Sequence, residues 1–452
     1  MSLGRIGVIF VEGTGGALGG EPVIYKVFAK REEKIKNSLI KLFPDIDFSF
    51  HIIRSLEDIP NVLNKLKDVM GYVIFVFNCI HGLLRPFLWS SKPVVLLGET
   101  YGGAGDFLLE YSRAIKEEYP VVGCITKKID DEKLLKRYIK LLEVILRLRR
   151  SKILFIVSPG MQRHLKTEYP LGTDLYSVPR TIQAIFGITP ILMDVEEFKS
   201  KYYNKVPEGE AKKIADMWIK GAVEVKENRI DEIVKQAKLY LALKEAIKDY
   251  NVDAVALDCI VLYRGGFLDA WPCLAYMELA RRGEAVPVCE ADPYSATVLL
   301  IMKYLANKPG FISDPSPDTL ADEVVYYHCF APITPRCYGD KEVCPYVIAP
   351  AHLGDKRASV HVKLPIGEKI TVLGLDPEEK IITVHTAETL RNELSPESCA
   401  TKLIGKTNTK AILKNWRWRA GWHRVVFYGD WREEIKDLAK LLGLKVLEED
   451  KE

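Results

Sequence analysis

Between Arg5 and Arg150 the sequence switches repeatedly between short apolar runs and longer amphipathic ones. That switching constrains the fold more than any other feature. The apolar runs are "RIGVIFV", "IDFSFHII", "GYVIFVFN", "KPVVLLGE" and "PVVGCIT". The amphipathic ones include "EEKIKNSLIKLF", "LEDIPNVLNKLKDV" and "DEKLLKRYIKLLEVILRLRR". Strands alternating with helices of this length predict a mostly parallel sheet covered by helices on both faces. A second set follows in "SKILFIVSPG", "TPILMDV", "VDAVALDCIVL" and "EAVPVCE", its halves separated by a long helical stretch from about Val223 to Tyr250. Its later strands are nearly unbroken apolar runs, as expected of strands buried on both sides.

From about Pro345 the character changes. "ASVHVKLP", "KITVLGLD" and "KIITVHTAE" alternate apolar and polar residues between turn signals, the pattern of antiparallel strands. A strand, a helix and a strand follow in "HRVVFYGD", "WREEIKDLAKLLG" and "LKVLEE". The expectation is an α/β protein with two doubly wound, Rossmann/flavodoxin-like domains over residues 1–150 and 151–344. A β-rich, barrel-like C-terminal domain over 345–452 completes it. The 452 residues accommodate this at about 150 residues per domain.

Composition narrows the function. With 64 basic and 61 acidic residues the net charge is +3, which gives no reason to expect nucleic acid as a partner. No apolar stretch reaches the roughly 20 residues of a spanning helix, and "MSLGRIGVIF" lacks a signal-peptide pattern, so no membrane is expected and the location is read as cytoplasmic. The nine cysteines include no C-x-x-C pair. Scarce glutamine among plentiful Lys, Arg and Glu suits a thermophile.

Two conspicuous motifs point nowhere in particular. "GTGGALGG" (13–20) follows the first strand, but Leu18 breaks G-x-G-x-x-G, and Glu21 stands where a P-loop needs lysine. "WRWRAGWHR" (416–424) interleaves arginine with tryptophan and could stack bases, yet it equally describes a packed aromatic edge.

The informative stretch is "VPVCEADPYSATVLL" (287–301), where a buried strand ends at Glu290. Asp292-Pro293 has the ordinary form of a helix start, Asp as cap and Pro as first residue. Glu290 has no such account, and an ionised carboxylate at the end of a core strand requires a partner. "KPGFISDP" then ends a short apolar run at Asp314, "VVYYHCF" delivers His328, and "GWHRVVFYGD" places His423 at the head of a strand. Carboxylates and imidazoles gathered at element ends describe a site for Mn²⁺, Fe²⁺ or Co²⁺ better than a thiolate zinc site.

The stretches "PVCEAD", "FISD", "VVYYHC" and "GWHRVVFYGD" together resemble the fucose/arabinose isomerase-like family of metal-dependent sugar ketol isomerases. The resemblance implies that Glu290 and Asp314 are paired carboxylate ligands and acid/base groups. It also implies that His423 is the ligand from the last domain and His328 a further ligand or substrate contact. Mn²⁺, or another divalent cation such as Co²⁺ or Mg²⁺, would be the cofactor, and a homo-oligomer, trimer or hexamer, the assembly. "EADPY" departs from the family's commoner E-G-D run, which leaves the substrate open.

Asp269 and Trp271 in "GGFLDAWPC" are candidates for sugar-hydroxyl contact and ring stacking, or else a cap and a core aromatic, and Trp422 is a further substrate contact. The expected activity is aldose–ketose isomerisation of a deoxyhexose or pentose through an enediol. A metal-dependent carbohydrate lyase or transferase, or a non-catalytic sugar-binding protein, are the alternatives. The resemblance also implies that the glycine-rich loops 13–20 and 102–105 are substrate-contacting loops in an oligomer.

Overall fold

A computed structural model describes residues 2–12, 23–79, 81–158, 177–226, 229–352, 357–395 and 397–452. The loop 13–20 lies outside them. The chain forms two compact units, one of residues 1–147 with 433–445, the other of residues 148–432 with 446–452.

In the first unit β1 (Gly4–Val11), β2 (Ile46–Ile53), β3 (Tyr72–Val76), β4 (Val94–Glu99) and β5 (Val121–Thr126) make a sheet in the order β2-β1-β3-β4-β5. Every pairing in it is parallel. All five residues of β3 and all six of β4 are buried, as their unbroken apolar sequences require. The glycines after β4 answer to packing. A side chain at Gly102 would lie 2.1 Å from the Phe77 carbonyl oxygen, and one at Gly103 1.9 Å from that of Val76. Glu99 meanwhile accepts the N–H groups of Tyr101 and Gly102.

The second unit begins with another parallel sheet of β6 (Lys152–Val157), β7 (Thr189–Asp194), β9 (Ala254–Leu257) and β10 (Val286–Val288), in the order β10-β9-β6-β7. A small sheet joins β8 (Glu224–Val225), β13 (Tyr346–Pro350) and β14 (Ala358–Val362) in the order β14-β13-β8. The remaining strands are β11 (Phe311–Asp318), β12 (Glu323–His328), β15 (Lys369–Asp376), β16 (Ile381–Glu393), β17 (Thr401–Lys406), β18 (Arg424–Tyr428) and β19 (Lys445–Glu448). Six of them run β15-β18-β11-β12-β17-β16 and close through β15–β16, with β19 alongside β16. Every pairing around this ring is antiparallel, and closure leaves the six strands no open edge. The molecule is therefore mixed α/β with two parallel sheets and a closed six-stranded barrel.

The barrel recruits β11 and β12 from ahead of Pro345. Asp314 accordingly does not end its strand, as "KPGFISDP" predicts, but lies inside β11. Phe311–Ser313 pair with β18, and Asp314–Asp318 pair with β12. Pro315 and Pro317 thus occupy the half of β11 that β18 does not pair, where a missing N–H costs least. Asp314 sits at the handover, directly past the end of β18.

Candidate metal centre

β10 ends at Val288, and the chain turns through Cys289–Ala291 with two residues in the left-handed region, Glu290 (φ 56°) and Ala291 (φ 49°). Neither is glycine, so each costs on the order of 1–2 kcal/mol, which the surrounding packing must sustain. The turn aims Glu290 away from the sheet and delivers Asp292 to cap the helix Pro293–Ala306. The Asp292 carboxylate accepts the Tyr294 N–H at 2.9 Å and the Ser295 hydroxyl at 2.5 Å. The helix start is as the sequence predicts.

Three barrel elements meet that turn. His328 is the last residue of β12, and Asp314 lies on β11. His423 immediately precedes β18, whose first residue, Arg424, pairs with Ser313. His328 Nε2 lies 3.6 Å from Glu290 Oε1, and His423 Nε2 lies 3.6 Å from Glu290 Oε2 and 3.5 Å from Asp314 Oδ1. The imidazoles stand edge to face with centroids 5.4 Å apart. Both are buried, while the Glu290 side chain keeps 21 % of its exposure and opens the cluster to solvent.

These separations are too long for good hydrogen bonds. Asp314 Oδ1 and His423 Nε2 are buried with no hydrogen-bond partner at all. First-row divalent ions hold nitrogen and oxygen donors at about 2.0–2.2 Å, which spaces neighbouring donors at roughly 3.0–3.6 Å. The cluster fits such an ion. Glu290, His328 and His423 offer ligand atoms that all lie within 4.8 Å of one another.

Asp292 has a second role that its capping signature concealed. Its Oδ2 lies 2.9 Å from His423 Nδ1 and accepts that N–H, which turns the other ring nitrogen, Nε2, toward Glu290 and Asp314. A carboxylate behind an imidazole in this way fixes the tautomer a metal ligand needs. Charge follows geometry. Burial pushes the Glu290 carboxyl up, but His328 and His423 hold it down at about 2. Burial lowers His423, and Asp292, Glu290 and Asp314 outweigh it, raising the imidazole to about 10. Asp258, where β9 ends beside β10, is raised to about 7, first by burial and then by Glu290, against the Val261 N–H that it accepts.

The other expected residues have different surroundings. Trp422 is 44 % exposed, donates its Nε1 proton to the Pro315 carbonyl at 3.3 Å, and meets Tyr327 edge to face. That places it on the rim next to His423. Asp269 is exposed and accepts the Tyr203 hydroxyl at 2.8 Å. Trp271 is a buried core aromatic between Tyr263 and the Arg357 guanidinium. None of these Asp269 or Trp271 contacts is with the four clustered side chains. The arginines of "WRWRAGWHR" are taken up in ion pairs, Arg417 with Asp376, Arg419 with Glu378 and Arg424 with Glu449.

His352 is the residue that sequence reasoning missed. It adds to the lowering of Glu290 and opposes the burial that raises Asp314, yet it lies in a segment, "PAHLGD", with no metal-ligand spacing. No helix of the described residues is long and apolar enough to cross a membrane. Comparison with protein-family models finds no match, and comparison with curated proteins finds none either.

Proposed function

We propose that the chain is a divalent-cation-dependent aldose–ketose isomerase of the fucose/arabinose isomerase-like kind, acting on a deoxyhexose or a pentose through an enediol. The observation that carries this reading is the meeting of Glu290, Asp314, His328 and His423, from four separate elements, with Asp314 Oδ1 and His423 Nε2 buried and without a hydrogen-bond partner. Mn²⁺, or Co²⁺ or Mg²⁺ in its place, held by these four side chains would polarise the sugar carbonyl and stabilise the charge of the enediolate.

The remaining work falls to the protein. Glu290 turns one oxygen toward each imidazole and would serve as the anchoring ligand of the cation. Asp314, whose Oδ1 must break no hydrogen bond, takes the C2 proton and returns it at C1, while a second group moves the hydroxyl proton from O2 to O1. Asp292 keeps His423 in the tautomer whose Nε2 faces the site. Trp422, exposed at the rim and edge to face with Tyr327, offers aromatic surface for the apolar side of a sugar. The two parallel sheets are read as the family's doubly wound domains, with a trimer or hexamer as its assembly and the cytoplasm as its location.

The test is a panel of aldoses and ketoses incubated with the protein and Mn²⁺ in D₂O and followed by proton NMR. Expected is deuterium at C1 or C2 together with the partner sugar, lost in Glu290→Gln and in chelator-stripped protein. Products with fewer carbons would assign a lyase instead. A folded protein that exchanges no proton of any sugar would end the isomerase reading.

A further inference from the structure

A second donor cluster lies in the same unit and is chemically unlike the first. Cys329 follows His328 at the end of β12, Cys399 precedes β17, and His352 follows β13. Cys329 Sγ lies 3.8 Å and Cys399 Sγ 3.9 Å from one atom, His352 Nε2. The three donor atoms all lie within 4.8 Å of one another. Cys273, buried at the head of the helix Cys273–Arg282, neighbours Cys329 but stands outside this group of three. All four cysteine and histidine side chains are buried or half-buried, and the cysteines are free thiols.

The hydrogen bonds to His352 are long at 3.8 and 3.9 Å, and Cys329 is hydrogen-bonded to Cys273 and Cys399 as well. A neutral imidazole nitrogen has one lone pair and can accept one S–H, yet two sulfurs face the same Nε2. One cation satisfies both. With Zn–S of about 2.3 Å and Zn–N of about 2.0–2.1 Å, a tetrahedral centre sets sulfur and nitrogen roughly 3.5 Å apart, so the observed spacing needs only a small contraction. The backbone around the thiols is held in place. The Ser359 hydroxyl donates to the Cys329 carbonyl, and the buried Lys402 ammonium donates to the Cys399 carbonyl at 2.8 Å.

We propose that Cys329, Cys399 and His352 form a Zn²⁺ site separate from the Glu290 cluster. Two thiolates and an imidazole favour zinc, whereas carboxylates with imidazoles suit Mn²⁺ or Co²⁺. The soft site is structural in character. It ties the ends of β12 and β13 to the start of β17, and it fixes the residue directly after His328. The inference does not depend on the isomerase reading.

Co²⁺ is the probe, because only thiolate ligation gives an intense sulfur-to-cobalt charge-transfer band in the ultraviolet. The reduced, metal-stripped full chain should develop this band on Co²⁺ addition, and Zn²⁺ should bleach it. Cys399→Ser and His352→Gln should weaken Zn²⁺ binding on the order of 10²-fold or more. Glu290→Gln and Cys337→Ser should leave the band intact, since Cys337 is bonded to Asn307 instead. The second of these variants guards against a fold lost through cysteine replacement. Co²⁺ binding without the band in the reduced wild type would overturn the proposal, because cobalt would then occupy only the carboxylate–histidine cluster. So would a band that survives in both Cys399→Ser and Cys329→Ser.

Discussion

Asp292 shows how one side chain can do two things while advertising only one. As a cap it satisfies the first turn of a helix, and as the acceptor of the His423 Nδ1 proton it sets which ring nitrogen faces the cluster. The two roles can be separated. Asn caps a helix as well as Asp does, so Asp292→Asn should leave the thermal midpoint close to wild type. Without the carboxylate behind His423, Mn²⁺ affinity should fall about 10–100-fold. Calorimetric titration of the stripped protein checks this, and unchanged affinity would remove Asp292 from the site. At this scale the sequence was informative where chemistry is local. A carboxylate two residues past an apolar strand, and a histidine at each of two strand termini, stand out against their neighbours. His352 did not, because nothing in "PAHLGD" distinguishes a ligand from a loop histidine until the fold brings two cysteines to it.

Among the elements, the barrel carries a polar network across its interior. The Tyr326 hydroxyl meets His385 Nε2 at 2.9 Å, His385 Nδ1 meets Glu449 at 3.0 Å, and the Arg424 guanidinium meets Glu449 at 2.8 Å. Tyr326 lies on β12, His385 on β16 and Arg424 on β18, and no two of these strands are neighbours in the ring. All four side chains are fully buried. Glu449→Gln leaves Arg424 charged and unanswered, and should cost about 3–5 kcal/mol in denaturant unfolding.

The pH dependence has a definite sign. Burial pushes the Glu449 carboxyl up, but Arg424 and His385 outweigh it and hold it at about 2, below its ordinary 4.5. A depressed carboxyl contributes stability above its unfolded value and loses it as pH falls toward the folded one. Wild type should therefore lose stability between about pH 4.5 and 2 more steeply than Glu449→Gln. Equal slopes would show that Glu449 is not ionised in the barrel. Alternation of strand and helix signals made both parallel sheets legible, and short alternating runs pointed to the barrel. The membership of β11 and β12 in that barrel was not legible. "FISDPSPD" carries two prolines and a short apolar run, and only the split pairing of β11 makes that pattern a strand.

For the molecule as a whole, both donor clusters fall in the unit of residues 148–432 and 446–452. A ligand that binds only the folded state stabilises what it binds, by about 2.7 kcal/mol at a hundredfold excess over Kd. Saturating Mn²⁺ should accordingly slow amide hydrogen exchange in β10, β11, β12 and β18 and leave β1–β5 at their original rates. Equal protection of both units would show that the cation acts elsewhere.

The first unit is not continuous in the chain. Residues 1–147 are completed by 433–445, where Asp437 pairs with Arg137 and Lys440 lies over the Tyr111 ring. The barrel likewise takes Glu449 from the stretch that follows. On the ribosome, then, both units wait on the same short stretch of message. At about 5–20 residues per second, β1–β5 stand without their last helix for on the order of 15–60 s. Through that interval a nascent chain is open to chaperones at the surface that residues 433–445 will later cover, and a stall before codon 433 would strand two half-built units rather than one.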